Sequence, residues 1–154
     1  MPTAYITAPL TTRGIQKTGR LYGKITSRDY IRNLEAIAEI IREAGYQVIL
    51  PHKSAYEWGD SAYSPKALVR RAFDTLQSCD LLVAWPAESR GANVLIGWAS
   101  VLRKKIIILL DENDTLSVVH AGLDSLTKIQ IIRYKDFTDL EEKLRQALQN
   151  IKSE

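Results

Sequence analysis

The stretch Asp80-Leu-Leu-Val-Ala-Trp-Pro-Ala-Glu-Ser-Arg-Gly91, with its continuation through Gly97-Trp-Ala99 to Lys105-Ile-Ile-Ile-Leu-Leu110, decides the fold. A short apolar run ends in a loop of Pro, Ser and Gly, opens directly into a helix of small residues, and is followed by a second apolar run. This reads as strand, turn, helix, strand, and the backbone N–H groups at such a turn form a natural anion site. Working outward, apolar runs at Ala4–Ala8, Tyr46–Leu50, Leu81–Trp85, Lys105–Leu110 and Lys128–Tyr134 predict five strands. The runs are continuous and do not alternate in and out, as expected of parallel strands covered on both faces.

Helical patterns lie between them. Tyr30, Ile31, Leu34, Ile37, Ala38 and Ile41 repeat at helical spacing, after a capping box expected at Thr26-x-x-Asp29 and before Gly45 at C′. Ser64-Pro65 offers an N-cap with Pro at N1 for a helix that turns Leu68, Ala72, Phe73 and Leu76 inward. A second box, Thr138-x-x-Glu141, is expected to open the last helix, which carries Leu140, Leu144 and Leu148. The predicted class is α/β: a doubly wound five-stranded parallel sheet in a flavodoxin- or Rossmann-like three-layer sandwich. With 154 residues and 45% apolar composition, residues 1–154 form one domain.

Charge and special residues narrow the function classes. A net charge of +3 is mild, yet Thr11 to Arg28 carries Arg13, Lys17, Arg20, Lys24 and Arg28 with no acid among them. Such a cluster suits a phosphorylated partner, and equally a solvated loop. The single cysteine, Cys79, excludes an intrachain disulfide and a Cys-based zinc site, and its expected place is a core position at a helix end. No apolar run approaches the roughly 20 residues of a membrane helix, so a cytoplasmic protein with no membrane partner is expected. His52 and His120 lie far apart without carboxylate or thiol at ligand spacing, so no metal and no cofactor is expected. Gly14-Ile-Gln-Lys-Thr-Gly19 has the glycine spacing of a P-loop, but Arg20-Leu21 replace the Lys-Ser/Thr that would hold phosphate and magnesium. No G-x-G-x-x-G follows the first strand.

In doubly wound sheets ligands sit beyond the carboxyl ends of the strands, so the loops starting at Pro9, Pro51, Pro86 and Asp111 should share one crevice. That rule collects Arg13, His52, Tyr56, Trp58, Ser89, Arg90 and Ser117. A phosphate seat is expected at Ser89, Arg90 and Gly91, where a hydroxyl and free N–H groups meet a helix N-terminus. A base and sugar pocket is expected from Thr7, Pro9, His52, Tyr56, Trp58 and Asn93; the two loop aromatics, Tyr56 and Trp58, either stack a base or cover the core.

Two blocks carry a family resemblance. Ala4-Tyr-Ile-Thr-Ala-Pro-Leu10 resembles the first strand and loop of the nucleoside 2-deoxyribosyltransferase family, which includes the 2′-deoxynucleoside 5′-phosphate N-hydrolases. So does the block Ser78-Cys79-Asp80, Leu81 to Trp85, Ser89-Arg90-Gly91, Leu95-Ile96-Gly97 with Ala99, and Lys104-Lys105; Leu116-Ser117 with Gly122 resembles a later segment. The resemblance implies a 5′-phosphate seat using Ser89 and a loop Arg, Arg13, with Ser117 reaching the pocket of a neighbouring subunit in a homodimer. The helix after Gly91, with Ala92, Ala99 and an exposed Trp98, would lie at that interface. It also marks a departure, because the family's nucleophilic Glu aligns with Leu95 and its second acid, an Asp, with Ala72. Asp74 does not substitute, since two residues along a helix turn a side chain through roughly 200°. Loss of such a nucleophile costs roughly 10⁴-fold or more in rate.

The expected function is therefore binding of a nucleotide or another phosphorylated sugar derivative, without the family's usual glycosidase activity. One alternative is an active N-glycosidase or deoxyribosyltransferase with a relocated acid, Glu88 being the nearest candidate and Glu57, Asp60 and Asp111 the others. The other is recognition of phosphorylated nucleic-acid ends through the basic segment, which ranks below both small-molecule readings.

Overall fold

A computed structural model of the chain describes residues 1–10, 25, 27–59, 64–86 and 89–153. Five strands, β1 (Thr3–Thr7), β2 (Gln47–Ile49), β3 (Leu81–Ala84), β4 (Lys105–Asp111) and β5 (Ile129–Tyr134), form one sheet in the order β2-β1-β3-β4-β5. Every pairing is parallel, with Ile6 opposite Val83 and Ala84 opposite Ile108. The five predicted runs agree with these strands to within two residues at either end.

Among the described residues six α-helices connect and cover the sheet: α1 (Arg28–Glu43), α2 (Pro51–Ser54), α3 (Pro65–Ser78), α4 (Arg90–Val101), α5 (Val118–Gly122) and α6 (Phe137–Lys152). Strand side chains point alternately to two faces, and both faces are buried. On one face Ile6, Val83, Ile107 and Leu109 meet Leu34, Ile37 and Ile41 of α1 and Leu140, Leu144 and Leu148 of α6. On the other, Tyr5, Leu82, Ile106 and Ile108 meet Leu76 of α3 and Ile96 and Ala99 of α4. Two dry layers about one sheet explain the continuous apolar runs in the sequence. Cys79 caps α3 at 1% exposure, and burial pushes its thiol up to about 11.

Two of the expected caps are displaced. Ser27, in extended conformation, is the N-cap of α1 and its hydroxyl accepts from Tyr30 N–H at 3.2 Å. Thr26 lies outside the described residues. The box expected at Thr138-x-x-Glu141 sits two residues earlier: Asp136 accepts from Asp139 N–H at 2.8 Å, and the Asp139 carboxylate accepts in return from Lys135 N–H at 2.9 Å. At α6 an aspartate caps better than the threonine two residues on, and its charge suits the positive helix end. Ser64 caps α3 as read, accepting from Ala67 N–H, and Gly45 closes α1 at φ +95°.

β3 is tied to β5 by a buried bond in which the Trp85 indole N–H donates to Tyr134 Oη at 2.7 Å. Among the described residues no helix is long and apolar enough to cross a membrane.

Candidate functional site

In the order β2-β1-β3-β4-β5, the chain reverses its winding between β1 and β3, where a crevice opens at the strands' carboxyl ends. A cleft of 490 Å³ occupies this place. Its volume is in the range of small-molecule sites. Tyr5 to Ala8 of β1 form the floor, Pro51, His52 and Tyr56 one side, α3 from Pro65 to Ala72 a second, and the first turns of α4 the third. Short connections put these elements at one end of the sheet, and the switch in strand order spreads their backbones apart.

At the α4 side, Ser89 is a half-buried N-cap in extended conformation. Its hydroxyl oxygen accepts from Ala92 N–H at 3.2 Å, and its own N–H donates to Pro86 O at 2.6 Å. Among the described residues no acceptor meets the N–H groups of Arg90 and Gly91, both exposed at the cleft. The Ser89 O–H hydrogen and these two N–H groups can meet an anion together, with the helix dipole behind them and the Arg90 guanidinium alongside. A Cβ added at Gly91 would come no nearer than 3.9 Å to Ser89 Oγ, so the chain's own packing does not require glycine there.

The opposite side is aromatic. His52 is 2% exposed, and its Nε2 lies 3.1 Å from Ala8 O and 3.3 Å from Pro9 O. Both neighbours are acceptors, so Nε2 carries the proton and donates. Burial lowers the His52 pKa to about 4, against the opposing effect of those two carbonyls, and the ring is neutral near pH 7. Nδ1 is then a bare acceptor, and among the described residues it has no hydrogen-bond partner. Tyr30 fixes the ring from its other side, edge-on at 6.4 Å, while its hydroxyl donates to Pro9 O at 2.7 Å. Burial, helped by the nearby Tyr56 phenol, raises Tyr5 above the ordinary phenol range, so Tyr5 stays protonated.

Between the two sides the wall is apolar. Ala72, Leu95, Leu68 and Val69 line it, and among the described lining residues there is no Asp or Glu. The two positions expected to hold the family's carboxylates thus face one cleft and present methyl and isobutyl groups.

The structure brings together Thr7, His52, Tyr56, Ser89, Arg90 and Gly91. It places others elsewhere. Pro9 is buried behind the cleft, where its carbonyl holds Tyr30 and His52. Trp58, at φ +56°, packs against the core under α1, and its carbonyl accepts from Ile25 N–H at 2.7 Å. Covering the core is therefore the role the packing assigns it. Asn93 is exposed on α4 outside the lining, and Ser117 is the exposed N-cap of α5, accepting from His120 N–H at 3.0 Å. Ala92 and Ala99 face the sheet at 2% and 0% exposure, and Trp98 is half-buried edge-on to Phe73 at 5.6 Å. The most exposed apolar positions of α4 are Val94 and Val101, on the same stripe as Trp98. Arg13, the Gly14 to Gly19 segment, Asp60 and Glu88 lie outside the described residues. Glu57 is exposed and Asp111 bonds Asn113 N–H at 2.9 Å; neither lines the cleft.

Sequence reading missed Tyr5, Leu10, Pro65, Leu68 and Val69 as lining residues. The signal for Tyr5 was available: β1 borders the switch point, and Tyr5 shares with Thr7 the face of the strand on which a polar-tipped side chain can reach the strand end. Among the described residues no group of three His, Cys, Asp or Glu side chains stands together as a metal site would require.

The fold is similar to two solved structures. The structure of Clostridium botulinum CMP N-glycosidase, BcmB, is 22% identical with a TM-score of 0.69, over 94% of this chain and 98% of that one. The solution structure of BlsM is 19% identical with a TM-score of 0.74, over 97% of this chain and 90% of that one. No family model and no curated protein matches the chain. What this chain shares with both structures, over nearly its whole length, is the five-stranded parallel sheet and the three-layer fold built on it.

Proposed function

We propose that the chain binds a nucleoside 5′-phosphate, or a closely related phosphorylated sugar derivative, in this cleft and does not cleave its glycosidic bond. The observation that carries the reading is the cleft's division of labour: free N–H groups and a hydroxyl at the start of α4, an apolar wall with no described carboxylate, and polar aromatic side chains opposite. The phosphate takes Ser89, Arg90 and Gly91, and the sugar and base lie across Leu95 and Ala72 toward Tyr5, Tyr56 and His52. Similarity to a protein described as a CMP N-glycosidase supports a nucleotide as the ligand class. Glycosidic cleavage needs a carboxylate to attack the anomeric carbon or stabilise its developing charge, and neither Leu95 nor Ala72 supplies one.

The same similarity favours a second reading, in which Glu88, one residue before the α4 cap, acts as a relocated acid. One experiment separates the two. Calorimetric titration of the protein with nucleosides and their 5′-monophosphates is followed by chromatography for free base. The binding reading expects monophosphates to bind at least about tenfold more tightly than the parent nucleosides, with no base released. Equal affinity for nucleoside and monophosphate overturns the phosphate seat; rapid release of base selects the second reading.

We also propose a homodimer formed through the outer face of α3 and α4. Val69, Val94 and Val101 are exposed there at 48%, 48% and 76%, beside the half-buried Phe73–Trp98 pair. Apolar side chains grouped on one outer face are the usual mark of an association surface. A reducing, cytoplasmic setting belongs to the same proposal, resting on the single thiol, buried in the core.

A further inference from the structure

We propose that His52 Nδ1 is the acceptor that sets base preference in the cleft, taking a hydrogen bond from the exocyclic amino group of an aminated nucleobase. The inference rests on the nucleotide reading above and goes on to name the substrate class. Three observations combine. The ring borders the cleft and is 98% out of solvent, being 2% exposed. Its Nε2–H is committed to Ala8 O and Pro9 O, two carbonyls that leave no alternative tautomer. Its Nδ1 is buried, and no described group satisfies it.

Buried polar atoms are almost always paired, and an unpartnered one in a ring that lines a cleft is met by a ligand group of the opposite kind when the ligand packs against that ring. Here the opposite kind is a donor, since a neutral ring with its proton on Nε2 can only accept at Nδ1. The aromatic side lies across the cleft from the α4 N-terminus, where the phosphate is seated, so the distal end of the base reaches it. At that end cytosine and adenine carry an amino group, whereas uracil and hypoxanthine carry a carbonyl oxygen. A carbonyl would face the Nδ1 lone pair and repel it. A site with a fixed buried acceptor discriminates strongly against a partner that cannot donate.

The test compares two matched pairs, CMP with UMP and AMP with IMP, by calorimetric titration of the whole protein. The expected result is a preference of at least about tenfold for the aminated member of each pair. His52→Gln places an amide N–H near the Nε2 position and removes the Nδ1 acceptor; its CMP/UMP ratio falls toward one. His52→Asn places an amide oxygen near the Nδ1 position and keeps part of the ratio, a rescue that a purely structural role would not produce. In the wild-type protein the His52 Nδ1 nitrogen resonance moves upfield on adding CMP and not on adding UMP, a readout independent of whether either variant folds. Equal binding within both pairs, a ratio that survives His52→Gln, or an Nδ1 resonance indifferent to the base overturns the proposal while leaving the nucleotide reading intact. Failure of every monophosphate to bind overturns the nucleotide reading, and this proposal with it.

Discussion

Acidification should unfold this protein in part through a single ring. His52 titrates at about 4 in the folded chain because burial disfavours the imidazolium, and near its ordinary value of 6.5 once the chain is unfolded and solvated. A histidine whose folded pKa is depressed binds fewer protons folded than unfolded between those two values, so stability is fully present above pH 6.5 and is lost as pH falls toward 4. Linkage over that window gives about 2 kcal/mol lost between pH 7 and pH 5, and about 3 kcal/mol by pH 4. This is a large share of the 5–15 kcal/mol by which domains of this size typically hold together, roughly speaking. Other groups titrate as well, since Asp139 has its pKa lowered by the Lys135 N–H and Lys143 and should also favour unfolding when protonated. His120 is lowered by partial burial and acts in the same sense. The assay therefore compares wild type with His52→Gln in urea melts at pH 7 and pH 5. The variant keeps every other titrating group, so the difference between the two pH dependences isolates His52. The expectation is that wild type loses about 2 kcal/mol more than the variant over this range. Equal losses in the two proteins, or a His52 proton resonance that titrates near 6.5 in the folded state, would refute the reasoning.

Gly91→Ala should leave the melting temperature unchanged or raise stability by up to about 1 kcal/mol, because alanine suits a helix better, while phosphate-dependent binding drops in titration calorimetry. The double variant Ala72→Asp with Leu95→Glu should acquire detectable release of base from a 5′-monophosphate by chromatography, and rapid release by the unmodified protein would overturn the expectation. Val101→Lys should shift the molecule from dimer to monomer in light scattering without lowering its melting temperature, since the side chain is 76% exposed in the single chain. Tyr134→Phe should cost about 1–2 kcal/mol in urea melts, because it removes the acceptor of the buried Trp85 indole.

The strands and the order of elements were legible because a doubly covered parallel sheet writes its burial directly into unbroken apolar runs. Ile106 to Leu110 needs no partner to be read as a strand. The caps were less legible, since Thr26, Ser27 and Asp29, or Asp136, Thr138 and Asp139, all have the chemistry of a cap. Only the backbone angles at Ser27 and Asp136 select one. The site was legible where position along a strand end defines it, as at Thr7, His52 and Ser89. It was not legible at Trp58, because a loop aromatic carries no mark of which way it folds, and a left-handed backbone turns this one back onto the core. Leu68 was hidden for the opposite reason: an apolar residue on the inward stripe of a helix reads as core, and nothing local says that the sheet falls away beside it. For the same reason Ala92 and Ala99 were read as an outer face although they point inward, while Trp98 is half-buried at the surface against Phe73.

The apolar wall has an electrostatic consequence as well as a chemical one. Six residues separate Ser89 from Leu95, which places an acid at position 95 about 9 Å along the helix from the phosphate seat. At that distance, and with the effective dielectric of a partly buried site, one carboxylate would oppose one phosphate charge by about 2 kcal/mol. An enzyme that cleaves a nucleotide with such a carboxylate must tolerate this repulsion in the bound state and recover it in the transition state, where the sugar becomes positive. A chain with leucine and alanine at the two positions carries no such opposition and no such recovery. In the proposed binding reading such a chain holds the anion without that opposition, and neither Leu95 nor Ala72 meets the positive sugar. Firm retention without turnover is what the proposed binding reading expects, and the same two side chains support it.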